Sequence, residues 1–162
     1  MIQFVEGGNL LESHADALVN PVNCKGVMGG GLAAQFKRSF PAMFRSYAAD
    51  CANGLLRPGR VRFYPVQTAT GHPLYVICFP TKDDWRDPSL VQYITVGMKS
   101  LLREIKSCGL RSIAIPQLGC GLGGLEWDDV RPIIVEAFEG ATDLRNVRVE
   151  IYGAPATMAI PA

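Results

Sequence analysis

The stretch Gly119-Cys120-Gly121-Leu122-Gly123-Gly124-Leu125 lies between an apolar run at 112–117 and a helix-like segment that begins near Trp127. A buried strand, a glycine-rich loop and a helix N-terminus in this order favour a phosphate site, because glycine lets backbone N–H groups approach an anion closely and the helix end carries partial positive charge. The stretch matches neither the Walker A sequence nor the GxGxxG dinucleotide fingerprint. Taken alone, it supports a phosphate site and a plain strand–helix turn about equally.

A second glycine-rich loop lies upstream. The apolar run at 17–19 predicts a buried strand and leads into Asn20-Pro21-Val22-Asn23-Cys24-Lys25-Gly26-Val27-Met28-Gly29-Gly30-Gly31. Helical spacing follows at Leu32, Ala33, Phe36 and Phe40. Two such loops facing each other would clamp a diphosphate without a metal. Neither contains the Lys-Ser/Thr pair of a nucleoside triphosphatase, so a diphosphate ligand is favoured over a triphosphate.

Strands and helices alternate along the chain, with further strands predicted at 2–5, 60–66, 74–79 and 147–152 and the longest helical pattern beginning at Pro88. This alternation predicts an α/β protein, a three-layer α/β/α domain with a mixed, mostly parallel central sheet. Ligands of such sheets bind beyond the carboxyl ends of strands. Both glycine-rich loops and the segment around Lys82 follow predicted strands, so we expect them to meet in one cleft. The domain is expected at 1–155, with a linker-like tail at 156–162.

Composition excludes several classes of protein. The 162 residues are 48% hydrophobic with a net charge of +1, which describes a globular protein and argues against a disordered chain or a general nucleic-acid coat. No apolar run is long enough to span a bilayer and no leader follows Met1, so we expect a cytoplasmic protein with no membrane partner. The five cysteines include no CxxC pair and only two histidines occur, so we expect reduced thiols, no metal site and no cofactor.

Lys82 is the candidate for chemistry, in a polar segment after a predicted strand. A desolvated lysine acts as a nucleophile, and a charged one stabilises a leaving group. Asp83 and Asp84 beside it leave a solvated surface lysine as the ordinary alternative. Trp85 is suited to stacking on a base, and equally to covering the core. The cysteines of the two loops have no neighbouring histidine, so we predict that they are packing residues.

Asn20 and Asn23 stand three residues apart at the end of a predicted strand. A side-chain amide both donates and accepts hydrogen bonds, which suits the hydroxyls of a ribose. Asparagines of this spacing also hold turns together without any ligand. The sequence leaves both interpretations open, with the turn favoured on spacing alone.

Together, these motifs resemble the macrodomain family. Gly8-Asn9-Leu10-Leu11, Asn20-Pro21-Val22-Asn23, the loop at 26–33 and the loop at 119–125 follow the family's order along essentially the whole chain, to about Tyr152. Within the family, the chain is most similar to the group that contains the terminal ADP-ribose protein glycohydrolase and the DarG antitoxins. The segment at 79–86 is similar to the DarG pattern that carries the catalytic lysine.

The resemblance implies an ADP-ribose cleft. Adenine would lie at one end of it, the diphosphate between the two loops, and the distal ribose near Lys82. The implied catalytic residues are Lys82, acting at the anomeric carbon, and Asn23. The implied substrate-binding residues are Asn9, Leu10, Asn20, Gly29, Gly30, Gly31, Leu32, Gln117, Gly119, Cys120, Gly121, Leu122, Gly123, Gly124, Leu125 and Tyr152.

The resemblance also implies a reaction, the hydrolysis of ADP-ribose from a DNA base, with thymidine as the expected base, which reverses a DarT-type toxin. The implied partners are ADP-ribose, ADP-ribosylated single-stranded DNA and a DarT-type toxin, the toxin through a region that this chain lacks. Basic residues that precede Pro88 would suit an approaching DNA strand. The small, apolar and proline-bearing tail looks like the start of a linker, so we expect the natural protein to continue past residue 162.

Two departures from the family pattern matter. The protein-directed glycohydrolase has an acidic residue where this chain has Gly123, which favours the DNA-directed branch. Many relatives carry a lysine where this chain has Gly30, and Lys25 is a partial replacement. Two other functions stay open at this point. One is a non-catalytic module that binds ADP-ribose, and the other is a hydrolase of small ADP-ribose derivatives.

Overall fold

The computed structural model describes residues 1–156. Six strands form a single sheet: β1 Ile2–Phe4, β2 Ala17–Val22, β3 Arg62–Pro65, β4 Tyr75–Pro80, β5 Ser112–Ile115 and β6 Arg148–Ile151. Four α-helices accompany it: α1 Gly31–Ser39, α2 Pro41–Ala52, α3 Val91–Cys108 and α4 Trp127–Gly140. Two 3-10 turns complete the elements, at Leu10–Glu12 and Thr142–Leu144.

The sheet has the strand order β1-β6-β5-β2-β4-β3. Only the β3–β4 pair is antiparallel among the strand pairs of residues 1–156, and the other four pairs are parallel. The predicted mixed, mostly parallel sheet is therefore confirmed. Of the predicted tail at 156–162, all but Ala156 lies outside the described residues.

Each face of the sheet has its own hydrophobic core, because alternate side chains of a strand point to opposite faces. In β2, Ala17 and Val19 pack into the core that includes residues of α3 and α4, while Leu18 and Val22 pack into the core that includes residues of α1 and α2. Both faces of the central strands are thus covered, which explains their continuous apolar runs. This is the three-layer arrangement that the sequence predicts.

Helix α3 begins at Val91, three residues after the predicted start at Pro88. Leu90 is extended, with φ −116° and ψ 139°, and the backbone N–H of Ser89 donates to the carbonyl oxygen of Gly123 at 3.0 Å. The segment before the helix is therefore hydrogen-bonded to a distant loop instead of to the first helical turn. The predicted end of the helix is confirmed, since Gly109 is left-handed at φ +65°.

The strands β5, β2 and β4 are adjacent and parallel, so their carboxyl ends meet at one edge of the sheet. The loop after β2, the segment after β4 and the loop after β5 all leave the sheet there. In residues 1–156, no helix is both long and apolar enough to cross a membrane.

Candidate functional site

A cavity of about 950 Å³ opens at this edge of the sheet, and both glycine-rich loops contribute to its wall. The segment before the first 3-10 turn, the segment that contains Lys82 and the residue Tyr152 complete the wall. The sequence-predicted site residues that line it are Asn9, Leu10, Asn23, Gly29, Gly30, Gly31, Leu32, Lys82, Gln117, Gly119, Gly121, Leu122, Gly123 and Tyr152. The structure thus brings together most of the predicted set.

The first glycine-rich loop runs directly into helix α1. Gly30 is the N-cap of this helix and supplies no side-chain hydrogen bond, and the first helical turn contains no acidic residue. Gly31, Leu32 and Ala33 all line the cavity. Because the first N–H groups of a helix have no partner within it, this end presents backbone donors and partial positive charge to the cavity. It is suited to binding an anion.

The side chain of Asn23 holds the first loop through hydrogen bonds. Its Oδ1 accepts hydrogen bonds from the N–H of Lys25 at 2.9 Å and from the Tyr47 hydroxyl at 3.0 Å, and its Nδ2 donates to the carbonyl oxygen of Val27 at 2.8 Å. Tyr47 is buried, and burial raises the pKa of its hydroxyl, which therefore stays protonated as a donor. The amide holds the turn and also lines the cavity, so the two interpretations of Asn23 in the sequence do not exclude each other.

The second glycine-rich loop is closed on itself. The N–H of Leu125 donates to the Gly119 carbonyl oxygen at 2.9 Å, and the N–H of Gly124 donates to that of Gly121 at 3.2 Å. Gly123 is buried, and a Cβ built on it would lie 2.5 Å from the Gly119 carbonyl oxygen and 2.8 Å from the Ser89 Cβ. No side chain fits at this position, so an acidic group cannot be placed there without moving the backbone.

Ser89 is a contact of this loop that the sequence analysis missed. It is 3% exposed, and its Oγ has no hydrogen-bond partner among the described residues. Its backbone N–H holds Gly123, as described above. The helical pattern predicts that Ser89 belongs to the first turn of a helix, and no signal in the sequence indicates a long-range contact of this kind.

The two glycine-rich loops approach each other across the cavity at Leu122. This side chain is 77% exposed, yet its Cδ1 lies 3.1 Å from the position that a Cβ on Gly30 would take. Leu122 therefore covers part of the space between the loops without packing into either core.

The segment after β4 is fixed to the end of β2. The N–H of Thr81 donates to the Val22 carbonyl oxygen at 3.0 Å, and the N–H of Cys24 donates to the Asp83 carbonyl oxygen at 2.8 Å. Lys82 lies between these two anchors, is half-buried and lines the cavity. The expectation of a fully solvated lysine does not fit this position.

The carboxylates next to Lys82 have other cationic partners. Asp83 pairs with Lys25 at 3.8 Å, and Asp84 accepts from the Arg86 guanidinium at 2.7 and 3.0 Å. The hydrogen bonds from Arg86 hold the pKa of Asp84 well below its usual range, so this carboxylate stays ionised at neutral pH. Within residues 1–156, Asp83 and Asp84 thus pair with Lys25 and Arg86, and Lys82 takes part in no ion pair.

One end of the cavity is lined by Gly8, Asn9, Leu10 and Tyr152. Tyr152 follows β6, and a Cβ built on Gly8 would lie 3.2 Å from its ring, so the backbone of Gly8 lies close to the aromatic ring. Leu10 is buried beside it. The Oδ1 of Asn9 accepts from the N–H of Leu11 at 3.0 Å and caps the first 3-10 turn, which leaves its amide nitrogen as the polar group of this end.

Four predicted site residues do not line the cavity: Asn20, Cys120, Gly124 and Leu125. Asn20 is fully buried within β2, where its Nδ2 lies 3.7 Å from the Met28 sulfur. Leu125 packs against a core, and the Cys120 thiol lies 3.5 Å from the Leu118 carbonyl oxygen. Position in a glycine-rich loop does not specify which way each residue faces, because the turns within the loop decide it.

The two cysteines of the loops are not activated. Burial raises the pKa of the Cys24 thiol to about 12 and that of Cys120 to about 11. Both thiols are therefore protonated at neutral pH and are poor nucleophiles. This agrees with the prediction that they are packing residues.

Several wall residues were absent from the predicted set, among them Gln35, Thr81 and Pro116. Gln35 lies one helical turn after Gly31, a spacing that places both on one face of α1 and that could have indicated it. Thr81 and Pro116 immediately precede Lys82 and Gln117 and lie within the stretches 79–86 and 112–117 that the sequence already marks, so their positions could have indicated them. Among the residues that the structure describes, no group of three or more His, Cys, Asp or Glu side chains could hold a metal ion.

Comparisons with known proteins place this geometry in a family. The sequence model of the Macro domain matches residues 19–134. The chain is 45% identical over 152 residues to a DNA ADP-ribosyl glycohydrolase of Thermus aquaticus, covering 94% of this chain and 41% of that protein. It is 44% identical over 140 residues to the protein of the same name from Mycobacterium tuberculosis, covering 86% of this chain and 40% of that protein. The chain thus spans about two fifths of the length of these curated relatives.

Solved structures show the same likeness. The macrodomain of Mycobacterium tuberculosis DarG superposes with a TM-score of 0.89 at 42% identity, covering 96% of this chain and 99% of that one. Thermosipho africanus DarTG in complex with ADP-ribose superposes with a TM-score of 0.84 at 31% identity, covering 99% of this chain and 43% of that one. On the family match and on these identities, the chain belongs to the macrodomain family.

Proposed function

We propose that this chain is a DNA ADP-ribosyl glycohydrolase domain, which removes ADP-ribose from a modified DNA base. The observation that carries the proposal is the position of Lys82, in the wall of the cavity that the two glycine-rich loops form. The similar relatives bear the name of this activity.

The groups that line the cavity suit the chemical groups of ADP-ribose. The apolar end at Tyr152 and Leu10 suits adenine, which stacks on aromatic faces. The uncapped start of α1 and the backbone of the second loop suit the diphosphate, which needs N–H donors and positive charge. The remaining end of the ligand, the distal ribose, then lies near Lys82 and Asn23, the two residues that we propose for catalysis.

The reaction breaks the bond between the anomeric carbon of that ribose and the DNA base. Water supplies the oxygen that bonds to the carbon, and the base leaves with a proton. A lysine here acts either as a cation that stabilises the departing base or as an amine that attacks the carbon first. In the amine route the amine displaces the base, the resulting glycosylamine opens its ribose ring to an imine, and water then hydrolyses that imine. Borohydride reduces the imine, so a trapped covalent adduct identifies this route.

The surroundings of Gly123 support the DNA-directed reaction over a protein-directed one. A lysine–aspartate pair would need a carboxylate in the second loop, and the backbone around Gly123 leaves no room for it. The site therefore works with a lysine and without an acidic partner from that loop.

We also propose the partners of this domain and its cellular compartment. The substrate is ADP-ribosylated single-stranded DNA, with thymidine as the expected base, and the toxin that adds the group is of the DarT type. The Thermosipho africanus DarTG complex with ADP-ribose supports this pairing. Five cysteines without a disulfide support a reducing compartment, which we take to be the cytoplasm.

The test is the release of ADP-ribose from a modified single-stranded oligonucleotide by the wild type and by Lys82→Ala. We expect the variant to lose about 100-fold or more in turnover, the size of effect that follows removal of one electrostatic contact to the reacting group. Its affinity for free ADP-ribose should change little, because the loops that bind the diphosphate remain. Lys99→Ala is the matched control, since Lys99 is exposed on α3 and does not line the cavity.

Unchanged turnover in Lys82→Ala would overturn Lys82 as the catalytic residue. A wild type that binds ADP-ribose tightly but leaves the oligonucleotide intact would instead identify the domain as a binding module.

A further inference from the structure

Trp85 is a large apolar side chain at the mouth of the cavity. It is 53% exposed and lines the cavity, on the same segment as Lys82. It belongs to neither hydrophobic core of residues 1–156. Packing therefore does not explain a tryptophan here, and the alternative of a cover over the core does not fit.

Exposed apolar side chains gather at this mouth. Val27 of the first loop is 38% exposed and Leu122 of the second is 77% exposed, and both line the same cavity as Trp85. The two glycine-rich loops and the segment after β4 thus contribute one each. Exposed apolar surface beside a polar cleft is typical of a binding site for a flat, partly apolar ligand.

The turn that carries Trp85 is held on both sides. Before it, the Asp83 carbonyl oxygen accepts from the N–H of Cys24 at 2.8 Å. After it, the Asp84 carboxylate accepts from the N–H of Arg86 at 2.9 Å, and the Asp84 carbonyl oxygen accepts from the N–H of Asp87 at 3.1 Å. The indole is presented from an ordered turn, which lowers the entropy lost when a ligand stacks on it.

Arg86 stands beside the indole. Its guanidinium carbon lies 5.6 Å from the centre of the Trp85 ring, and its side chain is 69% exposed. The Asp84 carboxylate fixes the guanidinium and neutralises much of its charge. The pair therefore offers an aromatic face and only a weak net charge, so stacking dominates over attraction to phosphate.

We propose that Trp85 is the stacking platform for a nucleobase of the DNA strand that carries ADP-ribose, with Arg86 positioned beside it. This inference rests on the proposed function and names the residue that recognises the DNA portion of the substrate. Trp85 is three positions after Lys82 in the sequence, so their Cα atoms lie at most about 11 Å apart. The stacked base therefore belongs to the modified nucleotide or to its neighbour.

The experiment compares Trp85→Ala and Trp85→Phe on an ADP-ribosylated single-stranded oligonucleotide. We expect KM to rise about tenfold or more in Trp85→Ala, the range of base–aromatic stacking, and to return to within about threefold of the wild type in Trp85→Phe. Affinity for free ADP-ribose should stay within about twofold. The rise in KM should be the same at low and high salt, because stacking involves no counterion release.

Two substrates identify the stacked base. If Trp85→Ala raises KM for both the oligonucleotide and ADP-ribosylated thymidine, Trp85 stacks on the modified base. If it raises KM for the oligonucleotide alone, Trp85 stacks on the neighbouring base. Leu55→Ala is the control for removal of an exposed apolar side chain, since Leu55 is 46% exposed and does not line the cavity. It should leave KM unchanged.

An unchanged KM in Trp85→Ala would overturn the inference, and so would an equal loss of affinity for free ADP-ribose, since Trp85 would then be a wall of the ADP-ribose cleft. A binding measurement keeps the inference separate from the proposed reaction. In a Lys82→Ala background, adding Trp85→Ala should weaken binding of the modified oligonucleotide about tenfold without changing binding of ADP-ribose. That result would stand even if the wild type proved inactive, and its absence would refute the platform.

Discussion

The two glycine-rich loops have similar compositions and different structures. The first, at 26–33, runs straight into helix α1, whose first turn carries no acidic residue. The second, at 119–125, is closed by its own hydrogen bonds, and helix α4 begins only at Trp127 with Asp128 and Asp129 in its first turn. Acidic side chains at a helix N-terminus satisfy the positive end of that helix themselves. Of the two helices, α1 is therefore the one whose N-terminus is suited to an anion, although the order of strand, loop and helix is the same in both places.

The two loops also differ in the structural reasons that require glycine. In the second loop, Gly123 is glycine because the backbone of Gly119 and the side chain of Ser89 occupy the space of a Cβ. In the first loop, Gly30 is extended, and its nearest neighbour is the movable end of Leu122. Both loops contain left-handed glycines, Gly26 and Gly31 in the first and Gly119 and Gly124 in the second, but only the second adds the steric exclusion at Gly123.

The largest effect is expected for Gly123→Ala. The added methyl group overlaps backbone and a buried side chain, so the loop must move, and we expect a loss of about 2–3 kcal/mol in the free energy of unfolding together with loss of ADP-ribose binding. Urea unfolding and calorimetric titration measure the two effects. Gly121→Ala is the control in the same loop, because a Cβ there meets nothing within 4 Å and its φ is not positive. Equal stability of these two variants would show that the second loop is not sterically fixed.

A smaller effect is expected for Gly31→Ala in the first loop. An alanine in the left-handed conformation costs about 1–2 kcal/mol, so the variant should lose that much stability and shift the start of α1. Gly30→Ala provides the contrast, since its backbone is extended and Leu122 can move away, and it should change stability by less than about 0.5 kcal/mol. Thermal or urea unfolding compares them. If Gly30→Ala were the more damaging variant, close packing and not backbone conformation would control the first loop.

The smallest effect is expected for Leu122→Ala, which removes the contact between the loops. The side chain is mostly exposed, so stability should stay within about 0.5 kcal/mol. ADP-ribose should bind about fivefold more weakly, because the ligand loses part of its apolar cover, worth about 1 kcal/mol. Titration of ADP-ribose into wild type and variant measures this. Unaltered affinity would mean that the two loops act independently and that Leu122 covers no part of the ligand.

Much of the fold follows from local sequence. The apolar runs at 17–19 and 112–115 and the stop at Gly109 predict strands and a helix end that the structure has, because burial on both faces and a left-handed C-terminal residue leave clear traces in sequence. The pattern predicts the start of α3 three residues too early, at Pro88 instead of Val91. Apolar periodicity cannot show that Ser89 is hydrogen-bonded to Gly123, thirty-four positions along the chain.

The sequence by itself determined the class of fold, the two glycine-rich loops and the candidacy of Lys82, because each depends on residues that are close together along the chain. Only the tertiary structure decided where the side chains of those segments lie and what they contact. It placed Asn20 in the sheet interior and Asn23 in the cavity wall, gave Asp83 and Asp84 their own cationic partners, and filled the space beside Gly123. These outcomes depend on contacts between segments that meet only when parallel strands align their carboxyl ends at one edge of the sheet.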